Sequence, residues 1–188
     1  MLRGKRIVLR TLNKTDASFM LDLLNDQSIS KLEGKNELLV NEIQQHNWLE
    51  SNLLSKDRLS LIICDAKSKE DVGYISFKYT NKISNCGHVG IKISNKFQGK
   101  GYGTDALKTF MSYLFFSINL HRLQSHIIDF NKGSLKLFVE KCGWKKEGVA
   151  RKSVYIDGTY NDNIMIGILK EDYIKFENDS FYNKLLND

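Results

Sequence analysis

The chain contains no proline and only three cysteines. Without proline there is no Pro-rich linker and no polyproline ligand. Cys64, Cys86 and Cys142 are odd in number and widely spaced, and no CxxC occurs. That pattern argues against a disulfide framework or a cysteine zinc site, and for reduced, partly buried thiols. No apolar run approaches the ~18 residues of a membrane span. No block of like charge exists either, although 28 Lys+Arg outnumber 22 Asp+Glu to give a net charge of +6. An excess this mild, with no Arg/Lys stripe, aromatic platform or helix-turn-helix spacing, does not describe a nucleic-acid surface. The basic start Met1-Leu2-Arg3-Gly4-Lys5-Arg6 leads into too short an apolar stretch for a signal peptide. A cytoplasmic protein without membrane or nucleic-acid partners is the expectation.

What is present suffices for one domain with a substantial core: 188 residues, 41% of them apolar and 27% charged. Residues 7–12 read as a strand, and Phe19, Met20, Leu23 and Leu24 share one face of a following helix. A polar, irregular stretch occupies 25–36. Residues 40–54 look helical with a ragged stripe. Strands are expected at 59–64, 72–79 and 87–93, with turns at 67–71 and 81–85. Ala106, Leu107, Phe110, Met111, Leu114, Phe115 and Ile118 fall at helical spacing and make the most amphipathic segment of the chain. A strand at 123–129 precedes a second stripe of Leu135, Phe138, Val139 and Cys142, which Gly143 ends. Residues 144–155 and 163–169 read as strands joined across Asp157-Gly158. The tail from 171 carries Phe176, Phe181, Tyr182, Leu185 and Leu186, enough to dock. Hairpins beside two helical crossovers predict an α+β fold with a mixed sheet, not a doubly wound one.

Chemistry concentrates in Gln98-Gly99-Lys100-Gly101-Tyr102-Gly103-Thr104, where a strand runs through three glycines into the amphipathic helix. Glycine backbone freedom lets amide N–H groups converge, and the helix adds its unpaired N–H groups and the positive end of its dipole. The result is an anion cradle suited to phosphate, to which Lys100 can add a charge. GxxxxGK[ST] is absent, and GxGxxG fails because Thr104 stands at its last glycine.

These residues match the Q/R-x-x-G-x-G/A acyl-CoA signature of the GNAT N-acetyltransferase superfamily. The surrounding chain resembles its Rim-type branch, the ribosomal-protein N-terminal acetyltransferases. Supporting segments are Leu9-Arg10 with Asp16, Asn119-Leu120-His121-Arg122-Leu123, Asn131-Lys132-Gly133-Ser134, Glu140-Lys141-Cys142-Gly143-Trp144 with Glu147-Gly148, and Gly158-Thr159-Tyr160-Asn161-Asp162. The resemblance implies a GNAT-like sheet of about seven strands, splayed at the cofactor cleft and flanked by about four helices. It implies a single N-acetyltransferase domain over 1–173 with a docked tail at 174–188. Acetyl-CoA would be the cosubstrate, its pantetheine arm along backbone near Ile91 and Ile93, its pyrophosphate on 98–104, and Asn131 and Ser134 facing it from the other side. No metal is implied, and His121 and His126, five apart on a strand, do not share an ion. The partner would be an amine-bearing small molecule or a protein N-terminus. A homodimer, common in the family, stays open.

The implied reaction is direct attack of an amine on the thioester. His88 is the candidate base, standing where Rim-type enzymes often carry glutamate; a water-relayed base or a pocket-wall role is its alternative. A backbone N–H of residues 90–92 would face the developing oxyanion. Ser134 is the candidate donor to the leaving thiolate, its alternative being a helix-start hydroxyl. Phe138 stands where many GNAT enzymes place a tyrosine and reads as packing, as do Tyr155 and Tyr160. Trp48 falls where the family places acceptor-binding elements. The alternative function is an acyl-CoA-sensing module of the same fold without turnover.

Overall fold

The computed structural model describes residues 1–34 and 39–185, with side chains described through residue 179. The order is β1 (Leu2–Arg3), β2 (Ile7–Thr11), α1 (Ala17–Asn25), α2 (Gln27–Leu32), α3 (Glu42–Leu53), β3 (Arg58–Asp65), β4 (Asp71–Asn81) and β5 (Cys86–Ile93). There follow α4 (Tyr102–Ser112), β6 (Arg122–Ile128), α5 (Lys132–Leu135), β7 (Lys145–Ile156), β8 (Thr159–Leu169) and α6 (Lys170–Leu185). All eight strands form one sheet in the order β1-β2-β3-β4-β5-β6-β8-β7. Every neighbouring pair is antiparallel except β5–β6. Tight turns join the hairpins, whereas α4 carries the chain back across the sheet and so makes β6 parallel to β5.

Period-2 alternation sends side chains to two separate cores. Leu61, Ile63, Ile75, Phe77, Val89, Leu123, Ile166 and Ile168 face α4, α5 and α6, burying Phe110, Leu114, Phe138 and Tyr173. Ile62, Cys64 and Tyr74 face the opposite way, against Met20, Leu23 and Leu49 of α1 and α3. Phe138 is packing as expected: its ring meets Trp144 edge to face at 4.9 Å, and the Trp144 indole N–H donates to Met111 Sδ at 3.3 Å. The exposed Tyr155 and Tyr160 rings contact each other at 5.0 Å on the outer hairpin.

The α+β mixed sheet is as read from sequence, with more elements than expected. β1 has two residues, too few to show alternation. α2 lies in the stretch expected to be irregular; Asp26 nucleates it by accepting from the N–H groups of Ser28 and Ile29. That stretch's residues 35 and 36 lie outside the described residues. The tail is helical, and α6 runs through residue 173 without a break. Phe176 sits under Gly143, whose missing Cβ would come within 2.6 Å of the ring, and Lys108 pairs with Glu177 at 2.8 Å. Phe181, Tyr182, Leu185 and Leu186 lie outside the described side chains. Trp144 precedes β7 and the last strand begins earlier than expected, at Thr159.

One polar cluster holds the sheet edge to α1. Arg10 donates to both Asp16 oxygens at 2.8 Å and to Asp71 at 3.0 Å, and Asn13 N–H donates to Asp16 at 2.8 Å. Burial pushes the Asp16 carboxyl up, but the Arg10 guanidinium and the Asn13 N–H outweigh it and hold the group below its ordinary value. A lowered carboxyl contributes stability above its unfolded value and loses it as pH falls through the folded one. Asp16→Ala is expected to cost about 2–3 kcal/mol, less than for a fully buried pair because Arg10 keeps Asp71 and some solvent. Urea midpoints at pH 7 and pH 3 check this: the gap from wild type should shrink at the lower pH.

Candidate active site

β5 and β6 pair over only three positions, Cys86–Arg122, Gly87–Leu123 and His88–Gln124. Beyond them β5 continues beside β4 to Ile93 and β6 beside β8 to Ile128. The two strands part, and a cleft of about 1400 Å³ opens between them. Along its β5 edge, Gly90, Ile91, Lys92 and Ile93 have no β6 partner, so their backbone faces the opening.

At the cleft's end, Gln98, Gly99, Gly101, Tyr102, Gly103 and Thr104 line it. Gly99 and Gly101 have φ of +73° and +88°, and a Cβ built on either meets nothing within 4 Å. Glycine is required here by backbone angle, and the space beside it is open to a ligand. Gly101 immediately precedes α4, whose first N–H groups have no intrahelical acceptor. Asp105, an acid in that first turn, is turned away: its carboxylate accepts from the backbone N–H groups of Lys5 at 3.1 Å and Arg6 at 2.6 Å. The Gln98 amide braces the loop by donating to Ile93 O at 3.0 Å and Asn95 Oδ1 at 2.9 Å.

One sequence expectation needs correction. Lys100 does not line the cleft; its ammonium donates to Lys96 O at 2.6 Å. The cap of α5 is Asn131: Asn131 Oδ1 accepts from Ser134 N–H at 3.0 Å, and Asn131 Nδ2 donates to Leu32 O at 2.8 Å. Asn131 therefore spans the cleft mouth to the end of α2 with its amide committed. Ser134 lines the cleft, its hydroxyl without a hydrogen-bond partner among the described residues.

The cleft's positive charge comes from residues that sequence reading passed over. Lys132, Lys136 and Lys141 all line the cleft wall, the Lys132 ammonium donating to Asp129 O at 2.8 Å. Positions 132 and 136 follow α-helical spacing, which would bring Glu140 next. A π-helical turn at Lys136–Glu140 intervenes, closed by Lys141 N–H donating to Lys136 O. Its extra residue rotates Glu140 away and brings Lys141 onto the wall. Among the described residues, the remaining charges in the cleft are Lys92 and Glu33, which pair at 2.8 Å and are both largely covered.

His88 and His126 stand on the same sheet face where the strands part, one on each. Their rings stack with centroids 5.8 Å apart and planes 15° from parallel. Burial, then the neighbouring His126 and Lys78, pulls the His88 pKa below its ordinary value, so the ring is neutral near pH 7. No cysteine lines the cleft among the described residues. Burial pushes Cys64 up to about 11, with Asp71 adding to it, and Cys142 up to about 12. Neither is a nucleophile at neutral pH.

The cleft thus combines open glycine positions at a helix N-terminus, lysines in its lining, a free strand edge, a neutral imidazole and a hydroxyl. Residues 6–145 match the family model described as Acetyltransferase (GNAT) domain. The Probable N-acetyltransferase YjcK of Bacillus subtilis is 29% identical over 92% of this chain and 98% of its own length. The [Ribosomal protein uS5]-alanine N-acetyltransferase of Escherichia coli is 29% identical over 58% of this chain and 56% of its own. A crystal structure of spermidine N-acetyltransferase from Vibrio cholerae, in complex with CoA and spermine, superposes with a TM-score of 0.84. That alignment is 24% identical and covers 91% of this chain and 99% of the other, which establishes a shared fold.

Proposed function

The chain belongs to the GNAT acetyltransferase family, and on that premise we propose that it moves an acetyl group from acetyl-CoA to a primary amine by direct attack in a ternary complex. The observation carrying this reading is the donor set of the cleft. Open glycine positions at the head of α4, in a cleft that Lys136 and Lys141 also line, suit a polyphosphate-bearing thioester nucleotide. When bound, acetyl-CoA supplies an activated acyl group and a thiolate leaving group.

The roles of the chain's own residues follow. The N–H groups of Tyr102, Gly103 and Thr104 bind pyrophosphate. The free β5 edge at Ile91 and Ile93 holds the pantetheine arm as an added strand would be held. A backbone N–H of residues 90–92 faces the developing oxyanion. His88 takes the amine proton, and the stacked His126 gives its ring a fixed plane. The Ser134 hydroxyl, with no hydrogen-bond partner among the described residues, donates to the departing sulfur. Domain limits of 1–173, a tail of 174–188 and a cytoplasmic location belong to the same proposal; the three free cysteines fit a reducing compartment.

The acceptor is an amine on a peptide N-terminus or a small molecule. The match to the uS5-alanine enzyme supports the first, as the Rim-type segments do. The spermidine enzyme supports the second through its fold. A panel of amines tested for CoA release decides it. A peptide bearing a free N-terminus is expected to release CoA faster than spermidine, because Glu33, the one carboxylate lining the cleft among the described residues, is already paired with Lys92. Acyl-CoA binding with no CoA release for any amine would instead establish the sensing module.

A further inference from the structure

The acceptor half of the cleft holds a polar side chain that the steps above do not use. Gln45, on α3, is 1% exposed, lines the cleft, and has no hydrogen bond to either Oε1 or Nε2 among the described residues. Helical spacing places it one turn before Trp48 and Leu49, which pack with Met20, Leu23 and Ile29 of α1 and α2 in the apolar cluster under the sheet. A buried polar group left unpaired costs about 1–3 kcal/mol. Leucine or methionine would fill the same place without that cost. α3 nonetheless carries a carboxamide here, one turn before Trp48, whose ring meets Tyr74 edge to face at 6.1 Å.

We propose that Gln45 reads the acceptor, and that the acceptor class is an amine followed by an amide, as at a peptide N-terminus or in an aminoacyl amide. A carboxamide offers one acceptor and two donors in a plane. A secondary amide on the substrate offers the complement, an N–H for Oε1 and a C=O for Nε2, and satisfies both atoms at once. A polyamine offers donors alone and leaves Nε2 orphaned. Tyr74, which Trp48 of α3 touches, stands on the same sheet face as His88, so α3 packs on the face that carries the proposed base. This inference rests on the acetyl-transfer reading and names which amine that reading takes.

The test uses Gln45→Met, which keeps length and removes both polar atoms, with two acceptors of equal chain length: glycine N-methylamide, and n-butylamine, which lacks the amide. Each acceptor is compared with itself between the two proteins, so differences in amine basicity cancel. The variant is expected to lose about tenfold in kcat/KM for glycine N-methylamide, mainly through KM, and to leave n-butylamine unchanged. Its thermal midpoint should hold or rise, since an orphaned amide is gone. Equal losses for both acceptors, or no loss for the amide, overturn the assignment. Titration calorimetry of glycine N-methylamide into the CoA-bound proteins decides the matter without turnover. Tighter binding to wild type supports the assignment, and equal binding overturns it. If wild type binds the amide through Gln45 yet releases no CoA, the transfer reading fails and this one stands.

Discussion

Gly101→Asp is expected to abolish CoA binding while the protein stays folded. The residue sits at the head of α4 with φ +88°, and a Cβ there projects into open space. No protein atom is displaced, so the internal cost is the strain of a non-glycine residue in a left-handed conformation, about 1–2 kcal/mol. A carboxylate at a helix N-terminus in fact favours the helix, through its dipole. The same carboxylate fills the cradle and sets a negative charge against a diphosphate. A loss of roughly a hundredfold or more in affinity follows from repulsion in so confined a site. Gly101→Ala separates the two effects, carrying the strain without the charge, and its affinity should fall by about tenfold. Calorimetric titration with CoA measures both, and circular dichroism checks the fold. Unchanged affinity in Gly101→Asp would move the phosphates elsewhere and remove the basis of the proposed function.

The second large effect is a change in the shape of a pH profile. His88 is neutral near pH 7 because burial, His126 and Lys78 all disfavour its charged form. As a base it must be unprotonated, so kcat/KM rises with pH along a limb whose midpoint lies below the unperturbed value of about 6.5. The acceptor must also lose a proton, and a terminal amine does so near pH 8. At low pH both requirements act, and log kcat/KM should climb with a slope of about two. His88→Ala is expected to slow the reaction by about 10²-fold and to cut that slope to about one, the amine limb remaining. A variant that is slower by a constant factor at every pH would make His88 a wall of the pocket. The stability sign runs the same way: a histidine with a lowered pKa contributes stability above about pH 6.5 and loses it as pH falls. His88→Ala should thus narrow the acid-side decline in thermal midpoint.

Much of the fold was legible because it is written in short-range patterns. The stripe from Ala106 to Phe115 follows helical spacing, and it forms α4 and its π-helical turn. Asp157-Gly158 joins β7 to β8 as a hairpin turn, both residues at positive φ. The elements missed were those with weak local signals. β1 is two residues long, α2 depends on the single Asp26 cap, and α6 is amphipathic only against a surface made by distant residues such as Gly143 and Lys108. Lys100 was read as a phosphate contact because it sits between two glycines. Its side chain turns back to Lys96 because the loop's positive φ angles direct successive residues to opposite sides.

By itself, the sequence determined the glycine loop before an amphipathic helix, and with it a set of unpaired N–H groups at the helix start. Both follow from backbone freedom and helix ends, which act within a few residues. The tertiary structure alone decided that β5 and β6 pair over three positions before they part, that His126 stacks on His88, and that Gln45 is buried. It also decided that Lys141 rather than Glu140 lines the cleft. Those facts depend on distances between residues far apart in the chain and on one extra residue in a helical turn. No local periodicity encodes either, and packing settles both.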